Sequence, residues 1–350
     1  MKSSLPLLIL LTDTHLNKDN IELNRSIFNQ AADLAVKLKM KHIYHAGDVF
    51  DNRINQSQRT LIAFKLILQD LERKGITLVA IPGNHDKVDY EADESYLSVY
   101  SEYSNFILFE KEGWTNENGV AIGMLPYYKE STTYSGRLER LLRLKNFVGS
   151  KKILLTHIAA NGVRNNDGSL VENGIPENAF EAFDKVFVGH YHNAQDVGKN
   201  ISYVGSTFPH NFGENNNKGI VIVNEDLTWS LAETTFPKYK KLQFRIGEDS
   251  DMDAIQDQVE LSQGQDHLRV EIVGNQDEVN AFDKSIFTDM GVGVKKKIHE
   301  IETAVSSIET QKVEAYTADS IIQEFDIFAK EQKISKKQLT VGKKYLETLR

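Results

Sequence analysis

The chain has 350 residues, more than one average domain contains, and 40% of them are hydrophobic, which is enough for a sizeable core. Its formal net charge of −9 argues against a protein that binds nucleic acid over its whole surface, but it is compatible with a local basic groove or with carboxylates around bound cations. The sequence lacks cysteine, which excludes disulfides and thiolate metal sites, so any metal must be held by oxygen and imidazole ligands.

The first predicted element is a strand over Leu5 to Leu11. A lysine precedes this apolar run, as in a signal peptide, but the run leads into Asp13 and His15 instead of a small-residue cleavage site. The next patterns alternate between helix and strand, over Ile21 to Met40 (helix), Ile43 to Ala46 (strand), Gln56 to Lys74 (helix) and Ile76 to Ile81 (strand). This β-α-β-α-β order predicts parallel strands joined by right-handed crossovers.

Strands dominate the pattern further along the chain. We predict helices over Glu91 to Tyr103 and Gly136 to Val148, and strands over Val120 to Tyr128, Ile153 to Thr156, Val186 to Val188, Ile201 to Val204, Gly219 to Val223 and Trp229 to Thr234. Pro237 marks a boundary, so we expect a large domain at 1–236, a small α/β module at 237–302, a polar linker at 303–316 and a helical element at 317–350. No segment approaches the roughly 20 apolar residues of a transmembrane helix, which predicts a soluble, cytoplasmic protein without membrane contact.

Five of the predicted strands lead into chemically active side chains. The residues concerned are Asp13 with His15, Asp48, Asn84 with His85, His157, and His190 with His192. Because sites in α/β sheets form at the carboxyl ends of the strands, we expect these side chains to meet. Asp13 and His15 are two residues apart, and on extended backbone their side chains would point the same way, as would those of His190 and His192.

The donors in this set suit hard or borderline divalent cations. Carboxylate, amide oxygen and imidazole ligands favour manganese, iron, zinc or magnesium, and the carboxylate of Asp48 can bridge two ions. Two ions about 3.5–4 Å apart can clamp a phosphoryl group and activate a nucleophile for in-line attack. The residues alone therefore predict a metal-dependent phosphoryl hydrolase.

The blocks also resemble, in their order, the motifs of the calcineurin-like metallophosphoesterases. They are Asp13-x-His15, Gly47-Asp48, Gly83-Asn84-His85-Asp86, His157 and Gly189-His190-x-His192. Within that superfamily, two groups of motifs resemble the DNA-repair nuclease branch, the SbcD type and its Mre relatives. They are Gly47 to Asp51 with Gly83 to Asp86, and the later Tyr203 to Phe208, Phe212 to Glu214 and Lys218-Gly219. Protein phosphatases of the superfamily usually have Glu where this chain has Asp86, and Asp-Arg-Gly where it has Asp51-Asn52-Arg53.

The resemblance implies a four-layered α/β/β/α sandwich and a role for each site residue. One metal would be held by Asp13, His15, Asp48 and His192, and the other by Asp48, Asn84, His157 and His190. Both would be manganese, with magnesium as the alternative. His85 would be a catalytic residue that donates a proton to the leaving oxygen, and Asp51 would be the carboxylate that keeps its ring cationic.

The resemblance also implies a substrate and partners. The chain would be an exonuclease and endonuclease subunit of an SbcCD-like complex in DNA repair and recombination, with residues 237–302 capping the DNA. Residues 317–350, through Ile321, Phe325 and Phe328, would bind the coiled-coil root of an SMC-like ATPase, unless these apolar stripes pack on their own chain. A homodimer would form near Gln56 to Lys74 or Glu91 to Tyr103. The alternatives are a phosphatase or cyclic-nucleotide phosphodiesterase at the same site, and a scaffold that has lost catalysis.

Several other polar residues have two interpretations. His42 and His45 precede the second motif, and we interpret them as core or surface residues. His210 lines the site or is a plain loop residue, and Arg53 contacts phosphate or solvent. The run Lys295 to Lys297 meets a DNA backbone or forms a solvated face.

Overall fold

Two six-stranded sheets face each other across a shared hydrophobic layer. The first sheet has the spatial order Trp229–Leu231 (β12), Val221–Asn224 (β11), Pro6–Leu11 (β1), His42–Ala46 (β2), Thr77–Ile81 (β3) and Phe106–Leu108 (β4). The second has the order Gly113–Glu117 (β5), Val120–Leu125 (β6), Lys151–His157 (β7), Lys185–Gly189 (β8), Ile201–Tyr203 (β10) and Gln195–Val197 (β9). Strands β1 to β4 are parallel, and so are β6, β7, β8 and β10.

The structure is a computed structural model, which describes residues 4–129, 132–144, 151–165, 168–247, 252–262 and 264–298. The predicted linker at 303–316 and helical element at 317–350, with Ile321, Phe325 and Phe328, lie outside the described residues. Residues 299–302, the end of the predicted small module, do so as well.

Alternation along the strands explains the layers. On β7, Ile153 and Leu155 pack in the layer between the sheets, whereas Leu154 packs on the outer side of the second sheet. The helices Ile21–Leu38 (α1) and Gln58–Arg73 (α2) cover the outer face of the first sheet, and Thr132–Arg143 (α3) covers that of the second. The predicted α/β/β/α sandwich is confirmed.

Local sequence accounts for the helix ends. The hydroxyl of Ser57 accepts a hydrogen bond from the Thr60 main-chain N–H (3.1 Å) at the start of α2. Helix α1 ends where Lys39 adopts a left-handed conformation with φ 59°. A left-handed Asn118-Gly119 turn joins β5 to β6, as expected for this dipeptide in a two-residue hairpin.

A third, parallel sheet has its own hydrophobic core. It consists of Tyr239–Arg245 (β13), His267–Gly274 (β14) and Gly293–Ile298 (β15), accompanied by Met252–Ser262 (α4), Gln276–Ala281 (α5) and Ser285–Thr288 (α6). Phe244, Val270, Ile272 and Phe287 are buried in this core. All three sheets belong to one compact unit that ends at Ile298.

One predicted helix is wrong. Within Glu91 to Tyr103 the structure has only a 3₁₀ helix, Tyr96–Tyr100, and a second 3₁₀ helix lies at Glu177–Phe180. The main-chain N–H of Tyr96 donates to the Asp86 carbonyl (2.9 Å), so the loop after β3 takes the first bond a longer helix would have used. The sequence patterns also did not predict strands β4, β5, β9 and β15.

Candidate metal centre

The carboxyl ends of five parallel strands from both sheets meet at one edge of the sandwich. In the first sheet, β1, β2 and β3 lead to Asp13 and His15, to Asp48, and to Asn84 and His85. In the second sheet, β7 ends at His157, and β8 leads to His190 and His192. The N–H of His157 Nδ1 donates to the Ala46 carbonyl across the interface between the sheets (2.8 Å). All seven candidate ligands are thus brought together, as the strand order predicts.

Glycines in the motifs make this convergence sterically feasible. A Cβ atom on Gly83 would overlap the carboxylate of Asp48. Gly47 has φ +92°, and a Cβ there would lie 2.5 Å from His157 Nδ1. The glycines that precede Asp48 and Asn84 in sequence are therefore needed for the chain to approach itself this closely.

The backbone beneath the candidate ligands is strained. Four of them have left-handed φ angles: Asp13 (51°), His15 (42°), Asp48 (55°) and His190 (89°). Such conformations cost non-glycine residues on the order of 1–3 kcal/mol each and persist where the surroundings fix them. Here Asp13 N–H donates to the Gly47 carbonyl (3.0 Å) and His15 N–H to the Asp48 carbonyl (3.1 Å). The prediction that Asp13 and His15 lie on extended backbone is wrong, because these inter-loop bonds bend the chain. It is wrong for His190 as well, whose N–H donates to the Asp13 carboxylate (3.1 Å).

The first predicted ligand set forms a close cluster. The Nε2 atoms of His15 and His192 face each other at 3.1 Å, and each lies 3.9 Å from Asp13 Oδ1. Asp48 Oδ2 lies 3.7 Å from His15 Nε2. Burial raises the pKa of Asp13, but the neighbouring imidazoles outweigh this and lower it, so its carboxylate is ionised.

The second set is centred on an amide oxygen. Asn84 Oδ1 lies 3.0 Å from His157 Nε2 and 2.9 Å from His190 Nδ1. Asp48 Oδ2 lies 3.3 Å from His157 Nε2. Since the same oxygen of Asp48 faces His15 in the first set, its position suits a carboxylate shared by two cations. Asp48 Oδ1 is engaged differently, because it accepts the His85 main-chain N–H (2.7 Å).

The imidazole tautomers fit a cation between these groups. The N–H of His157 Nδ1 goes to the Ala46 carbonyl, which leaves Nε2 facing two acceptor oxygens, those of Asp48 and Asn84. A lone pair aimed at acceptors is repulsive unless a positive charge lies between them. Burial lowers the pKa of His157, but the charge of Asp48 outweighs it and raises the pKa to about 9. A divalent ion would supply the positive charge that a proton otherwise supplies.

Two candidate imidazole ligands donate a hydrogen bond to an oxygen from their other nitrogen, and a third lies near a carboxylate. His157 donates to Ala46, and His192 Nδ1 donates to Glu214 Oε1 at 2.9 Å. His15 Nδ1 lies 3.5 Å from Asp51 Oδ1. Partners of this kind orient metal-binding histidines in metalloproteins. The donor set and its supports therefore fit a pair of divalent ions.

The environment of His85 differs from the prediction. The His85 Nδ1–H bonds to the main-chain carbonyl of Asp51, while Nε2 accepts a hydrogen bond from Arg53 Nη2 at 2.9 Å. The Asp51 carboxylate instead faces His15 and accepts a hydrogen bond from Asn17 Nδ2 (3.2 Å). Burial lowers the pKa of His85. Asp51 thus contacts the His85 ring through its main-chain oxygen, while its carboxylate lies nearer to His15, so a direct ion pair between Asp51 and His85 stays a prediction.

Two supporting carboxylates have no role that sequence reasoning assigns. Glu214 is buried behind His192, and its motif enters only through the family resemblance. Asp86 is buried and accepts main-chain N–H bonds from Gly83 (2.8 Å), Val49 (3.2 Å) and Phe50 (2.8 Å), which joins the second and third motif loops. Its place in Gly-Asn-His-Asp is the signal that could have found it.

His210 and His45 have different surroundings. His210 packs against the rings of His15 and His192 at 4.9 Å and donates through Nε2 to the Asp13 carbonyl (2.8 Å), so it lines the site. His45 is a core residue, stacked on Phe28 with ring centroids 6.0 Å apart.

A cavity of about 840 Å³ opens over the cluster. Its rim is mixed in charge, with exposed Lys18, Arg53 and Arg59 beside Asp19 and Glu22. Its far wall includes Tyr239 and His267 from the third sheet. Among the described residues, no helix is both long and apolar enough to cross a membrane.

Three curated relatives share part of this sequence. Exonuclease subunit 1 of Enterobacteria phage T4 is 26% identical over 173 residues, which cover 49% of this chain and 48% of that protein. The DNA double-strand break repair protein Mre11 of Saccharolobus solfataricus is 27% identical over 208 residues, 56% of this chain and 53% of that protein. The D subunit of nuclease SbcCD from Staphylococcus saprophyticus is 26% identical over 266 residues, 68% and 69% of the two chains. The chain thus spans about half the length of the first two relatives.

A sequence model of one family covers more than half of the chain. It is described as calcineurin-like phosphoesterase, and it matches residues 7–194. That range runs from β1 to just beyond His192 and includes every candidate ligand. The chain therefore belongs to the calcineurin-like phosphoesterase family.

Proposed function

We propose that this phosphoesterase is a DNA nuclease that requires two divalent cations, most simply manganese, and works in an SbcCD-like repair and recombination complex. The observation that carries the proposal is the shared oxygen of Asp48, which lies between two clusters of oxygen and nitrogen donors. Similarity to an exonuclease, an Mre11 protein and a component of the SbcCD nuclease supports DNA as the substrate.

The ligand assignment corresponds to the two clusters. Asp13, His15, Asp48 and His192 hold one ion, and Asp48, Asn84, His157 and His190 hold the other. Bound there, divalent cations make water a better nucleophile and neutralise phosphoryl charge. The strained loops hold these side chains in place before an ion arrives.

His85 is proposed as the residue that gives a proton to the leaving oxygen. Its Nε2 points to Arg53, so a phosphodiester in the cavity would offer Arg53 an anionic partner and release this nitrogen. The Asp51 carbonyl orients the ring from the other side. The ring is neutral in this arrangement, with its one N–H on Nδ1, so the freed Nε2 would first take up a proton from water, which the negative charge of the phosphodiester favours. It would then give this proton to the leaving oxygen, while Arg53 contacts the phosphate.

The cavity is large and open enough to admit a polymeric substrate. It is open, about 840 Å³ in volume, and reaches from His85 to Tyr239 in the 237–302 segment, which we propose caps the DNA. Arg53 and Arg59 can meet phosphates that flank the scissile one. Both exonuclease and endonuclease action are compatible with an open site.

The partners are part of the same proposal. Residues 317–350, which lie outside the described residues, are proposed to bind an SMC-like coiled-coil ATPase. A homodimer is proposed through α2, where Ile62 and Leu66 are 48% and 36% exposed one helical turn apart. Light scattering of Ile62→Glu should report a monomer if this face joins two copies, and an unchanged dimer would refute the face.

One experiment separates the candidate functions. The full chain, with manganese, is incubated with linear DNA, hairpin DNA, a nitrophenyl phosphate monoester and a cyclic nucleotide. We expect cleavage of DNA, loss of cleavage in Asp48→Asn, and no change in Glu172→Gln, an exposed carboxylate outside both the cavity lining and the 237–302 segment. Efficient turnover of the monoester or cyclic nucleotide with intact DNA would replace the nuclease by one of the alternatives.

A further inference from the structure

An aromatic pair from the third sheet faces the cavity. Tyr239 and His267 are the first paired residues of strands β13 and β14. Their rings stack with centroids 4.3 Å apart and planes inclined by 27°. Both line the cavity that contains His15 and His85.

The pair is tied to the loop that supports the candidate ligands. Asn216 Nδ2 donates to the Tyr239 carbonyl (2.9 Å), and the Tyr239 N–H donates to Asn216 Oδ1 (3.0 Å). Phe212, from the same loop, packs its ring edge-on against Tyr239 with centroids 4.9 Å apart. Glu214 lies between Phe212 and Asn216 in the sequence, and it accepts a hydrogen bond from His192. The aromatic pair is therefore positioned relative to the metal centre, although it comes from another sheet.

The surroundings suit a flat, anionic ligand. His267 is exposed and Tyr239 is half-buried, so ring surface is available to a ligand. Arg53 and Arg59 line the same cavity. Aromatic faces combined with cations along a backbone are the chemistry by which proteins hold unpaired nucleotides. A volume of about 840 Å³ is within the range for a bound small ligand, so a nucleotide can be accommodated.

We propose that Tyr239 and His267 form a stacking platform for an unpaired nucleobase next to the phosphodiester at the metal centre. This inference rests on the proposed nuclease function. A base within a duplex has both faces covered by its neighbours, so the platform selects single-stranded or frayed DNA ends. The pair binds substrate and takes no part in bond cleavage.

The first measurement is of binding, with cleavage blocked by chelator. The full chain is titrated with single-stranded oligonucleotides that carry 2-aminopurine near one end, whose fluorescence falls when the base stacks. The variants are Tyr239→Leu with His267→Ala, the conservative Tyr239→Phe, and the control Gln265→Ala, an exposed neighbour of His267 outside the cavity lining. We expect the double variant to lose the quench and to raise Kd about tenfold, while the other two behave like wild type.

The second measurement replaces the probed nucleotide by an abasic one. Without a base to stack, wild type and the double variant should bind equally. An equal loss of affinity for the intact and the abasic strand, or an unchanged quench in the double variant, would overturn the platform.

Cleavage of the same strands in manganese is scored in parallel. If wild type cleaves the strands but does not quench 2-aminopurine fluorescence, the stacking platform is refuted and the nuclease function is supported. Quench that depends on the pair, without cleavage, would support the platform and refute the nuclease function.

Discussion

His192 Nδ1 donates a hydrogen bond to Glu214 Oε1 across 2.9 Å, and Glu214 Oε2 lies 3.2 Å from the buried ammonium of Lys218. Burial raises the pKa of Glu214, but His192 and Lys218 outweigh it and lower the pKa to about 2. The group is therefore an anion at any working pH. Its charge fixes the His192 tautomer, so that Nε2 presents a lone pair to the metal centre.

Replacing Glu214 by Gln should weaken metal binding. The amide removes the anion that orients and polarises His192, and the expected loss in manganese affinity is about 10- to 100-fold. Calorimetric titration of the full chain with manganese measures it. Glu172→Gln, an exposed carboxylate, is the matched control. If both variants bind manganese like wild type, Glu214 has no such role.

Replacing Gly83 by Ala should disrupt the centre. The new methyl group would overlap the Asp48 carboxylate, so that either the third motif loop or Asp48 must move. We expect a lower midpoint in urea unfolding and loss of manganese binding. Gly136→Ala is the control, because Gly136 lies in helix α3 with no atom within 4 Å of the added methyl. The free energy of unfolding of Gly136→Ala should rise by about 0.5–1 kcal/mol. Equal stability and equal manganese binding in the two variants would contradict the packing argument.

Manganese should stabilise the fold. An ion that binds the folded chain but not the unfolded chain adds about 2.7 kcal/mol to the free energy of unfolding when its concentration is 100 times its Kd. Thermal unfolding with and without manganese should therefore show a higher Tm with metal. Asp48→Asn should lose most of this shift, because Asp48 faces both clusters. A full shift in this variant would show that manganese binds elsewhere.

Stability should depend on pH through His42 and Glu117. His42 Nδ1 on β2 lies 2.8 Å from Glu117 Oε2 on β5, so this pair joins the two sheets. The hydrogen bond to Glu117 raises the pKa of His42, although burial opposes it. The folded state thus favours the protonated ring, and the contribution is complete below about pH 6.5, the ordinary value. It is lost as the pH rises through the raised pKa.

Urea unfolding of wild type and His42→Gln at several pH values tests this pair. The difference in unfolding free energy should be largest in mild acid and should shrink as the solution becomes alkaline. Glu117→Gln should remove the same pH dependence. If the difference in unfolding free energy between wild type and His42→Gln is the same at every pH, the pair is not the source of the pH dependence.

The sequence predicts that the seven candidate ligands converge because hydrophobic runs and motif residues are both local patterns. Each run is a buried strand, and parallel strands place the residues after their carboxyl ends at one edge of the sheet. The supports are not local in this sense. Glu214 lies 22 residues beyond His192, and no spacing rule shows that its carboxylate returns to that imidazole. The family resemblance likewise suggests the Asp51 carboxylate as the partner of His85, whereas the backbone turns that carboxylate toward His15.

The small strands escaped prediction for a related reason. β4 has three residues, and β15 contains Lys295 to Lys297, whose charge conceals an extended segment that is mostly exposed. Their hydrogen bonds come from neighbours already in the sheet, so their own sequences need little strand preference. At Glu91 to Tyr103 the sequence pattern instead predicts a helix that does not form, because the Tyr96 N–H donates to the Asp86 carbonyl in the loop after β3.

The Asn118-Gly119 turn joins β5 to the start of β6, whereas the centre lies beyond the ends of β7 and β8, which run parallel to β6. This turn is consequently at the end of the sandwich remote from the cavity, and Asn118 and Gly119 are both exposed there. A peptide tag inserted between them could anchor the protein to a surface with its cavity facing solution. The hairpin therefore offers a handle for single-molecule work.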